Sequence, residues 1–264
     1  MKTKLHIIKI GGNIIDDDQL LQSFIEDLSS IKEPCMLVHG GGRSATAMSK
    51  RLGIETKMTD GRRITDAETL DVIVMVYAGL INKKIVALMQ SKNCNAIGLC
   101  GADANIITAK KREATTIDYG FVGDINPEFI AVNTIKQFIE NGLVPVISPV
   151  THDGKGQLLN TNADTIASSL AGALAKQFEV HLYFCFEKNG VLKNMEDEHS
   201  LIPVLDKSNY EELKSCGMIS HGMIPKIDNA FNAIENGVSV VTVGHASHLK
   251  DMINKKEYGG TRIA

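Results

Sequence analysis

Two glycine-rich segments and one nearby lysine are the residues of this chain best suited to phosphate chemistry. Strand-like sequence runs into Gly11 and Gly12, the first glycine turn, and again into residues 40–42, the second glycine turn. Glycine lets backbone N–H groups approach an anion, and the start of a following helix adds partial positive charge. Lys9 stands just before the first turn. Two such turns in one chain favour an anionic ligand over ordinary tight turns.

Two polar clusters in the second half of the chain supply the remaining candidates. Asn160, Asn162 and Asp164 fall within five positions at a predicted loop-to-helix junction, although a helix cap needs only one such residue. Lys226 lies in the first turn of another predicted helix, where the helix dipole disfavours a cation. A bound anion would make a cation favourable at this helix start, so function explains Lys226 better than folding does.

Composition indicates a globular protein without a nucleic-acid surface. The 264 residues carry a net charge of −3, with 44% hydrophobic and 22% charged residues and no basic block. The five cysteines are scattered and form no C-x-x-C pair, so neither a disulfide framework nor a zinc site is predicted. No signal-like core is found, and no run approaches the roughly 18 apolar residues of a membrane span. We therefore predict a cytoplasmic protein with no membrane partner.

The order of elements predicts an α/β protein with a mainly parallel sheet. Strand-like runs such as residues 5–10, 36–39, 144–148 and 180–186 alternate with helical periods, as in sheets covered by helices on both faces. The sequence contains no repeat, low-complexity tract or obvious linker. We therefore expect one domain, in which any two lobes share a continuous sheet.

Less regular structure is predicted in four segments. The polar, glycine-containing composition of residues 57–64 predicts a hairpin or flap, and residues 66–89 predict a helix with a break near Gly79. Residues 106–123 predict a small antiparallel excursion, and residues 261–263 predict an edge strand.

These features, in this order and spacing, resemble the amino-acid kinase family over nearly the whole chain. The segments that carry the resemblance are residues 7–12, 38–42, 60–65, 156–164, 222–226 and 260–263. The resemblance is strongest to the members that phosphorylate N-acetylglutamate in arginine synthesis. It implies a three-layer α/β/α sandwich, with acceptor binding and dimerisation in residues 1–150 and nucleotide binding in residues 151–264.

The resemblance also implies roles for the candidate residues. Lys9 and Lys226 would stabilise charge on the transferring phosphoryl group and the leaving diphosphate, and Asp164 would fix both ammonium groups. The residues implied in acceptor binding are Gly41, Gly42, Arg63, Asn160 and Asn162, and those implied in nucleotide binding are Lys9, Gly11, Gly12, Glu187, Gly190, Gly222, Met223 and Lys226. ATP would carry magnesium on its phosphates, so no metal-ligating residue of the protein is expected.

Elementary chemistry agrees with these roles. A side-chain carboxylate with a pKa of about 4 is already ionised at neutral pH, so its phosphorylation needs no general base. The reaction needs in-line positioning and neutralisation of charge on the transferring oxygens. A lysine about 4 Å from such an oxygen contributes on the order of 4 kcal/mol at an effective dielectric constant of about 20. Two lysines can therefore contribute strongly to catalysis.

Two features differ from the family pattern. Where a Ser/Thr-Asp pair is common, this chain has Phe186 and Glu187, so hydrogen bonding near the nucleotide is expected to differ. The first predicted strand begins at Leu5, whereas the arginine-inhibited members carry an extra helix ahead of it. We therefore expect a homodimer without arginine feedback.

Several functions stay open on the sequence alone. The first is phosphorylation of an N-acylated glutamate, acetyl by default, although a succinyl group would require only a few changes in the pocket. The second is a sister kinase acting on free glutamate, aspartate, carbamate or UMP. The third is a metabolite-binding regulator without catalysis, prompted by Phe186 and Glu187 but disfavoured by the retained Lys9, Asp164 and Lys226. A dehydrogenase is disfavoured because no G-x-G-x-x-G follows the first strand.

Overall fold

An eight-stranded sheet runs through the computed structural model, which describes residues 2–59, 61–194, 197, 200–219, 223–254 and 259–264. The strands, in chain order, are β1 (Lys4–Ile10), β2 (Cys35–His39), β3 (Met58–Thr59), β4 (Arg62–Arg63), β5 (Ala96–Leu99), β6 (Lys110–Lys111), β7 (Gly123–Asp124), β8 (Val144–Ile147), β9 (Val150–His152), β10 (Leu158–Asn160), β11 (Glu179–Phe186), β12 (Val204–Leu205), β13 (Val240–His245) and β14 (Thr261–Ile263). The central sheet has the order β12-β14-β13-β11-β1-β2-β8-β5. Only β13 and β14 pair antiparallel in it. The predicted mainly parallel sheet is confirmed.

The central strands are buried on both faces, as is usual in parallel sheets. Their aliphatic side chains alternate between two cores because successive strand residues point to opposite faces. Ile7 and Val38 belong to one core, whereas Ile8 and Leu37 belong to the other. Each face of the sheet therefore needs its own layer of helices.

Helices cover both faces. They are α1 (Gly12–Ile15), α2 (Asp18–Ser29), α3 (Gly42–Arg51), α4 (Ala67–Ile73), α5 (Asn82–Ser91), α6 (Val132–Glu140), α7 (Ala163–Leu174), α8 (Lys207–Ser215), α9 (Ile224–Glu235) and α10 (Leu249–Ile253). One core joins the sheet to α6, α7, α8 and α9, and the other joins it to α2, α4, α5 and α10. The predicted three-layer α/β/α sandwich is confirmed.

The helix predicted over residues 66–89 is continuous, and the predicted break near Gly79 is wrong. A π-helical segment, Val74–Ile81, joins α4 to α5, and Gly79 lies inside it. The whole stretch Ala67–Ser91 is long and apolar enough to cross a membrane by length and composition alone. Its side chains Ile73, Val76 and Ile85 are buried in a core against the sheet, so here it serves as a covering helix.

Short antiparallel ribbons stand beside the sheet. The pairing of β3 with β4 confirms the hairpin predicted over residues 57–64, of which Asp60 lies outside the described residues. The antiparallel excursion is also confirmed, because β6 pairs with β7. Its second strand, β7, extends one residue past the predicted segment 106–123. β9 and β10 form a third ribbon.

The prediction of an edge strand at residues 261–263 is wrong in its position. These residues form β14, which lies between β12 and β13. The edge is taken by β12, which pairs with β14 over only two residues. A strand that short leaves no alternating pattern in the sequence, and so it escapes prediction.

Candidate active site

Three charged side chains meet beside the carboxyl ends of the central strands, and we call them the charged cluster. Lys9 Nζ lies 2.6 Å from Asp164 Oδ1, and Lys226 Nζ lies 3.4 Å from Asp164 Oδ2. Lys9 is the penultimate residue of β1, Asp164 lies in the first turn of α7, and Lys226 lies in the first turn of α9. The fold therefore brings together the three residues that the sequence singled out.

The charged cluster is largely buried and carries a net positive charge. The side chains of Lys9 and Asp164 are only 8% and 10% exposed, whereas that of Lys226 is 25% exposed. Burial alone would raise the pKa of Asp164, but the charges of Lys9 and Lys226 outweigh it and hold that pKa below its ordinary value. Two cations around one carboxylate leave an excess positive charge, which suits a polyanionic ligand.

The two lysines are held by Asp164 in different ways. Lys226 Nζ donates a hydrogen bond to Oδ2. Lys9 Nζ makes the shorter contact, 2.6 Å from Oδ1, and both its charge and its hydrogen bonding lower the pKa of Asp164. Each ammonium group is therefore held by its own oxygen of the Asp164 carboxylate.

The start of α7 explains how Asp164 is placed. Asn162 Oδ1 caps the helix by accepting from the backbone N–H of Thr165 at 3.0 Å. Asn160 Nδ2 donates to Thr65 Oγ1 at 3.1 Å and so ties β10 to the segment after the hairpin. Both asparagines therefore also stabilise local structure near the charged cluster.

The two glycine turns lie side by side. The backbone N–H of Gly40 donates to Ile10 O at 3.1 Å, and a Cβ on Gly40 would lie 4.0 Å from Gly12 N. Gly41 has a φ of +152°, and a side chain there would meet Ile81 at 2.4 Å. The second turn therefore requires glycine for its backbone conformation and for its close approach to the π-helical segment.

A contact that the sequence did not reveal links the helices after these turns. Ser44 Oγ, in the first turn of α3, donates to the carboxylate of Asp16. The backbone N–H of Asp16 donates to Gly12 O at 2.8 Å. This contact fixes the first glycine turn relative to the helix that follows the second.

Arg63 extends from β4 toward the second glycine turn. Its Nη2 donates to Gly42 O at 3.0 Å and to Thr46 Oγ1 at 2.8 Å, and its Nη1 donates to Thr56 Oγ1 at 3.3 Å. Burial raises the pKa of Tyr77, and the charge of Arg63 opposes that rise, so the guanidinium also lies near the tyrosine hydroxyl. The structure thus brings Arg63 to the turn with which the sequence grouped it, and it adds Tyr77, which the sequence missed.

The residues predicted to hold the nucleotide are only partly brought together. Gly190 and Met223 line one small cavity of about 60 Å³. The other residues around it are Lys188, Val191, Leu192, Met218 and Ile219. Glu187 is exposed and does not line this cavity, and Gly222 lies outside the described residues. Phe186 stands where a Ser or Thr is common in the family, and its side chain is buried in the core. This position therefore has a packing role here.

A second polar contact joins α7 to α9 next to the charged cluster. Ser168, one turn after Asp164, donates to Asn229 Oδ1 at 3.2 Å. Asn229 Nδ2 donates to Pro225 O at 2.7 Å. Because Pro225 directly precedes Lys226, this contact helps to fix the first turn of α9 against α7.

Comparisons with known proteins establish the family of this chain. A model of the amino acid kinase family matches residues 4–245. The chain belongs to the amino acid kinase family. One of its relatives, the acetylglutamate kinase of Cytophaga hutchinsonii, is 55% identical to this chain over 261 residues, 98% of each chain. That of Phocaeicola vulgatus is 52% identical over 251 residues, 95% of this chain and 97% of the relative.

Solved structures show the amino acid kinase fold at lower identity. Carbamate kinase from Giardia lamblia bound to AMP-PNP has a TM-score of 0.69 and 18% identity, covering 99% of this chain and 98% of that chain. N-acetylglutamate synthase from Neisseria gonorrhoeae, complexed with coenzyme A and N-acetyl-glutamate, has a TM-score of 0.82 and 19% identity. The match covers 99% of this chain but 59% of the synthase. The family that the motifs predicted is confirmed.

Proposed function

We propose that this protein transfers the γ-phosphoryl group of ATP to the side-chain carboxylate of N-acetyl-L-glutamate, a step of arginine synthesis. The charged cluster beside two adjacent glycine turns carries the proposal. The acceptor is supported by relatives that are 55% and 52% identical and are named acetylglutamate kinase. All five cysteines are free, which supports the predicted cytoplasmic location.

The reaction moves one electron pair toward the nucleotide. A carboxylate oxygen of the acceptor forms a bond to the γ-phosphorus while the bond to the bridging oxygen breaks, and ADP leaves with that electron pair. We assign Lys9 to the transferring phosphoryl oxygens and Lys226 to the diphosphate, where negative charge grows during the reaction. Asp164 is a positioning residue, because its oxygens hold both ammonium groups. No proton is transferred, so no base is required.

The backbone turns and the cavity complete the proposed site. We assign the N–H groups of Gly11 and Gly12 to the phosphates, and those of Gly41 and Gly42 to the acceptor carboxylate. We place the nucleotide base beside the largely apolar cavity at Gly190, which at about 60 Å³ must widen to admit it. We therefore assign the acceptor mainly to residues 1–150 and the nucleotide base to residues 151–264, with Gly11 and Gly12 of the first half reaching the phosphates.

Magnesium would be held by the nucleotide phosphates rather than by a protein cage. Within the ranges that the structure describes, no three His, Cys, Asp or Glu side chains come together as a metal site. Both oxygens of Asp164 face lysines, so this carboxylate fits the role of lysine anchor better than that of metal ligand. Magnesium commonly retains several waters and binds substrate phosphates. Its contribution would be to neutralise charge on the diphosphate.

Trapping the acyl phosphate with hydroxylamine tests the proposed function. With ATP and magnesium, we expect N-acetylglutamate to yield hydroxamate and ADP in equal amounts. N-succinylglutamate and free glutamate, assayed in parallel, should react much more slowly. A faster reaction with N-succinylglutamate would support the same type of reaction but replace N-acetylglutamate with N-succinylglutamate as the acceptor. Absence of hydroxamate with every acylated glutamate would contradict the proposal.

Arg63→Lys should weaken acceptor binding more than it slows the chemical step. The planar guanidinium can bind a carboxylate through two parallel hydrogen bonds, whereas an ammonium is a point charge. We expect the KM for the acceptor to rise at least about tenfold, with kcat changed less than about threefold. Arg62→Lys is the matched control, because Arg62 is its exposed neighbour. An unchanged acceptor KM in Arg63→Lys would place the acceptor elsewhere.

We also propose that two copies of this chain form a homodimer through the π-helical segment. Met75 and Leu80 are 54% and 57% exposed there, while Tyr77 and Ile81 of the same segment are buried. A second copy can bury this apolar face with the same face of its own, as two-fold dimers do. The family resemblance supports a homodimer as well.

Sedimentation velocity tests the dimer. Leu80→Asp should convert it to a monomer, because the interface would then bury an unpaired charge. Val204→Asp is the control, since Val204 is 54% exposed on the edge strand β12. A wild-type protein that sediments as a monomer at micromolar concentration would exclude the dimer.

A further inference from the structure

The second glycine turn is held by a buried polar network that the proposed mechanism does not use. His39, the last residue of β2, and Asn82, the first residue of α5, are both fully buried. His39 Nδ1 lies 2.8 Å from Gly40 O. Asn82 Nδ2 lies 3.2 Å from His39 Nε2 and 2.9 Å from Val146 O. The network therefore joins the turn to α5 and to β8.

The neighbours of Asn82 fix the hydrogen positions of this network. Lys83 Nζ lies 3.0 Å from Asn82 Oδ1, and an ammonium group only donates, so that oxygen is the acceptor. The amide nitrogen of Asn82 also only donates, so it faces two acceptors, Val146 O and His39 Nε2. His39 Nε2 therefore carries no hydrogen. The hydrogen sits on Nδ1 and is donated to Gly40 O.

We propose that His39 is a positioning residue that sets the direction of the Gly41 N–H group, with Asn82 holding its ring in the neutral Nδ1–H form. The carbonyl of Gly40 and the N–H of Gly41 belong to one planar peptide unit and point in opposite directions. A hydrogen bond that holds the Gly40 carbonyl toward His39 consequently turns the Gly41 N–H away from it, toward the ligand side. This inference rests on the proposed function, which assigns that N–H to the acceptor.

The surroundings favour the neutral ring. Burial lowers the pKa of His39 to about 4, although the hydrogen bond to Gly40 opposes this shift and the charge of Lys83 adds to it. A neutral ring keeps one nitrogen free to accept from Asn82, whereas a protonated ring would place two donors face to face. The turn therefore keeps one orientation across the range of neutral pH.

Apolar packing holds the same turn from the other side. Side chains of Tyr77 and Ile81 pack so closely on Gly41 that a Cβ there would meet them at 3.1 Å and 2.4 Å. Ile81 ends the π-helical segment, and Asn82 follows it directly. Two successive residues therefore hold the second glycine turn, because Ile81 packs on Gly41 and Asn82 acts through His39.

Kinetics of two variants at position 39 test the proposal. His39→Leu removes the donor to Gly40, and we expect kcat to fall at least about tenfold with the KM for ATP changed less than about twofold. His39→Asn keeps an N–H near the position of Nδ1 and should recover most of that loss. His6→Leu is the matched control, because His6 is an equally buried histidine at the amino end of β1. It should lower the thermal midpoint without lowering kcat.

A spectroscopic readout separates this inference from the proposed acceptor. In the wild-type protein, the ¹⁵N shifts of His39, assigned by their loss in His39→Asn, should show a protonated Nδ1 and an unprotonated Nε2 between about pH 6 and 8. This readout needs no turnover, so it holds even if another acceptor proves correct. A protonated Nε2, or a folded His39→Leu with wild-type kcat on the acceptor that is turned over, would overturn the inference.

Discussion

Lys226→Met is expected to lower kcat at least about a hundredfold while leaving the protein folded. The ammonium of Lys226 lies 3.4 Å from Asp164 Oδ2, and its side chain is 25% exposed. Methionine keeps most of the aliphatic stem, so the substitution removes the charge with little loss of packing. In the proposed mechanism it faces the diphosphate, whose charge grows only as the bond to the γ-phosphorus breaks. An interaction that strengthens in the transition state acts on kcat rather than on binding alone. Release of ADP under saturating substrates measures the effect.

Two further variants separate the position of the charge from its mere presence. Lys226→Arg keeps a cation but changes its shape, and we expect it to recover only part of the lost rate. Lys32→Met removes an exposed lysine in the loop before β2. This loop lies at the amino ends of the central strands, away from the charged cluster. The Lys32→Met variant should retain the wild-type kcat. A kcat for Lys226→Met within about threefold of wild type would remove this lysine from the mechanism.

Much of the fold could be predicted because its strands and helices carry clear hydrophobic periods. The strands predicted at residues 36–39 and 180–186 lie within β2 and β11, and the helix predicted over residues 66–89 matches Ala67–Ser91 to within two residues at each end. The misses include short elements such as α1, β9 and β12, which span too few residues to show a period. The continuous helix through Gly79 was missed for another reason: tertiary packing supports a glycine that local propensity disfavours.

The charged cluster could be predicted because its residues conflict with ordinary folding rules. A lysine at a helix start and three polar residues where one cap suffices both demand an explanation. By contrast, Ser44, Ser168 and His39 are unremarkable in sequence, and their partners lie 28, 61 and 43 positions away. Only the order of strands and helices shows that these pairs meet. Supporting contacts were therefore invisible, whereas the residues proposed for the chemistry were not.

Asp164→Asn is expected to lower the free energy of unfolding by about 3 kcal/mol in the absence of ligands. The substitution leaves the ammonium of Lys9 buried without its nearest counter-charge, since the side chain is 8% exposed and lies 2.6 Å from Asp164 Oδ1. Removing one partner of a buried ion pair costs more than the pair contributes, because the remaining charge stays desolvated. Urea denaturation monitored by circular dichroism gives the value.

The difference in unfolding free energy between the wild-type protein and Asp164→Asn should depend on pH in a defined direction. The folded state holds the pKa of Asp164 below its ordinary value, so the carboxylate stabilises the protein fully above its unfolded pKa of about 4. That stability is lost as the pH falls through the lower, folded pKa. The gap in unfolding free energy between wild type and Asp164→Asn should therefore stay constant from about pH 5 to 8 and shrink in stronger acid.

The double variant Lys9→Met with Asp164→Asn separates stability from catalysis. Removing both members of the buried pair leaves no unpaired charge at Lys9, so most of the unfolding free energy should return. The kcat should stay at least about a hundredfold below wild type, because the charge proposed to face the phosphoryl oxygens is gone. If Asp164→Asn alone were as stable as wild type, Lys9 would not depend on this carboxylate. Some contact other than the Asp164 carboxylate would then have to position the lysines of the charged cluster.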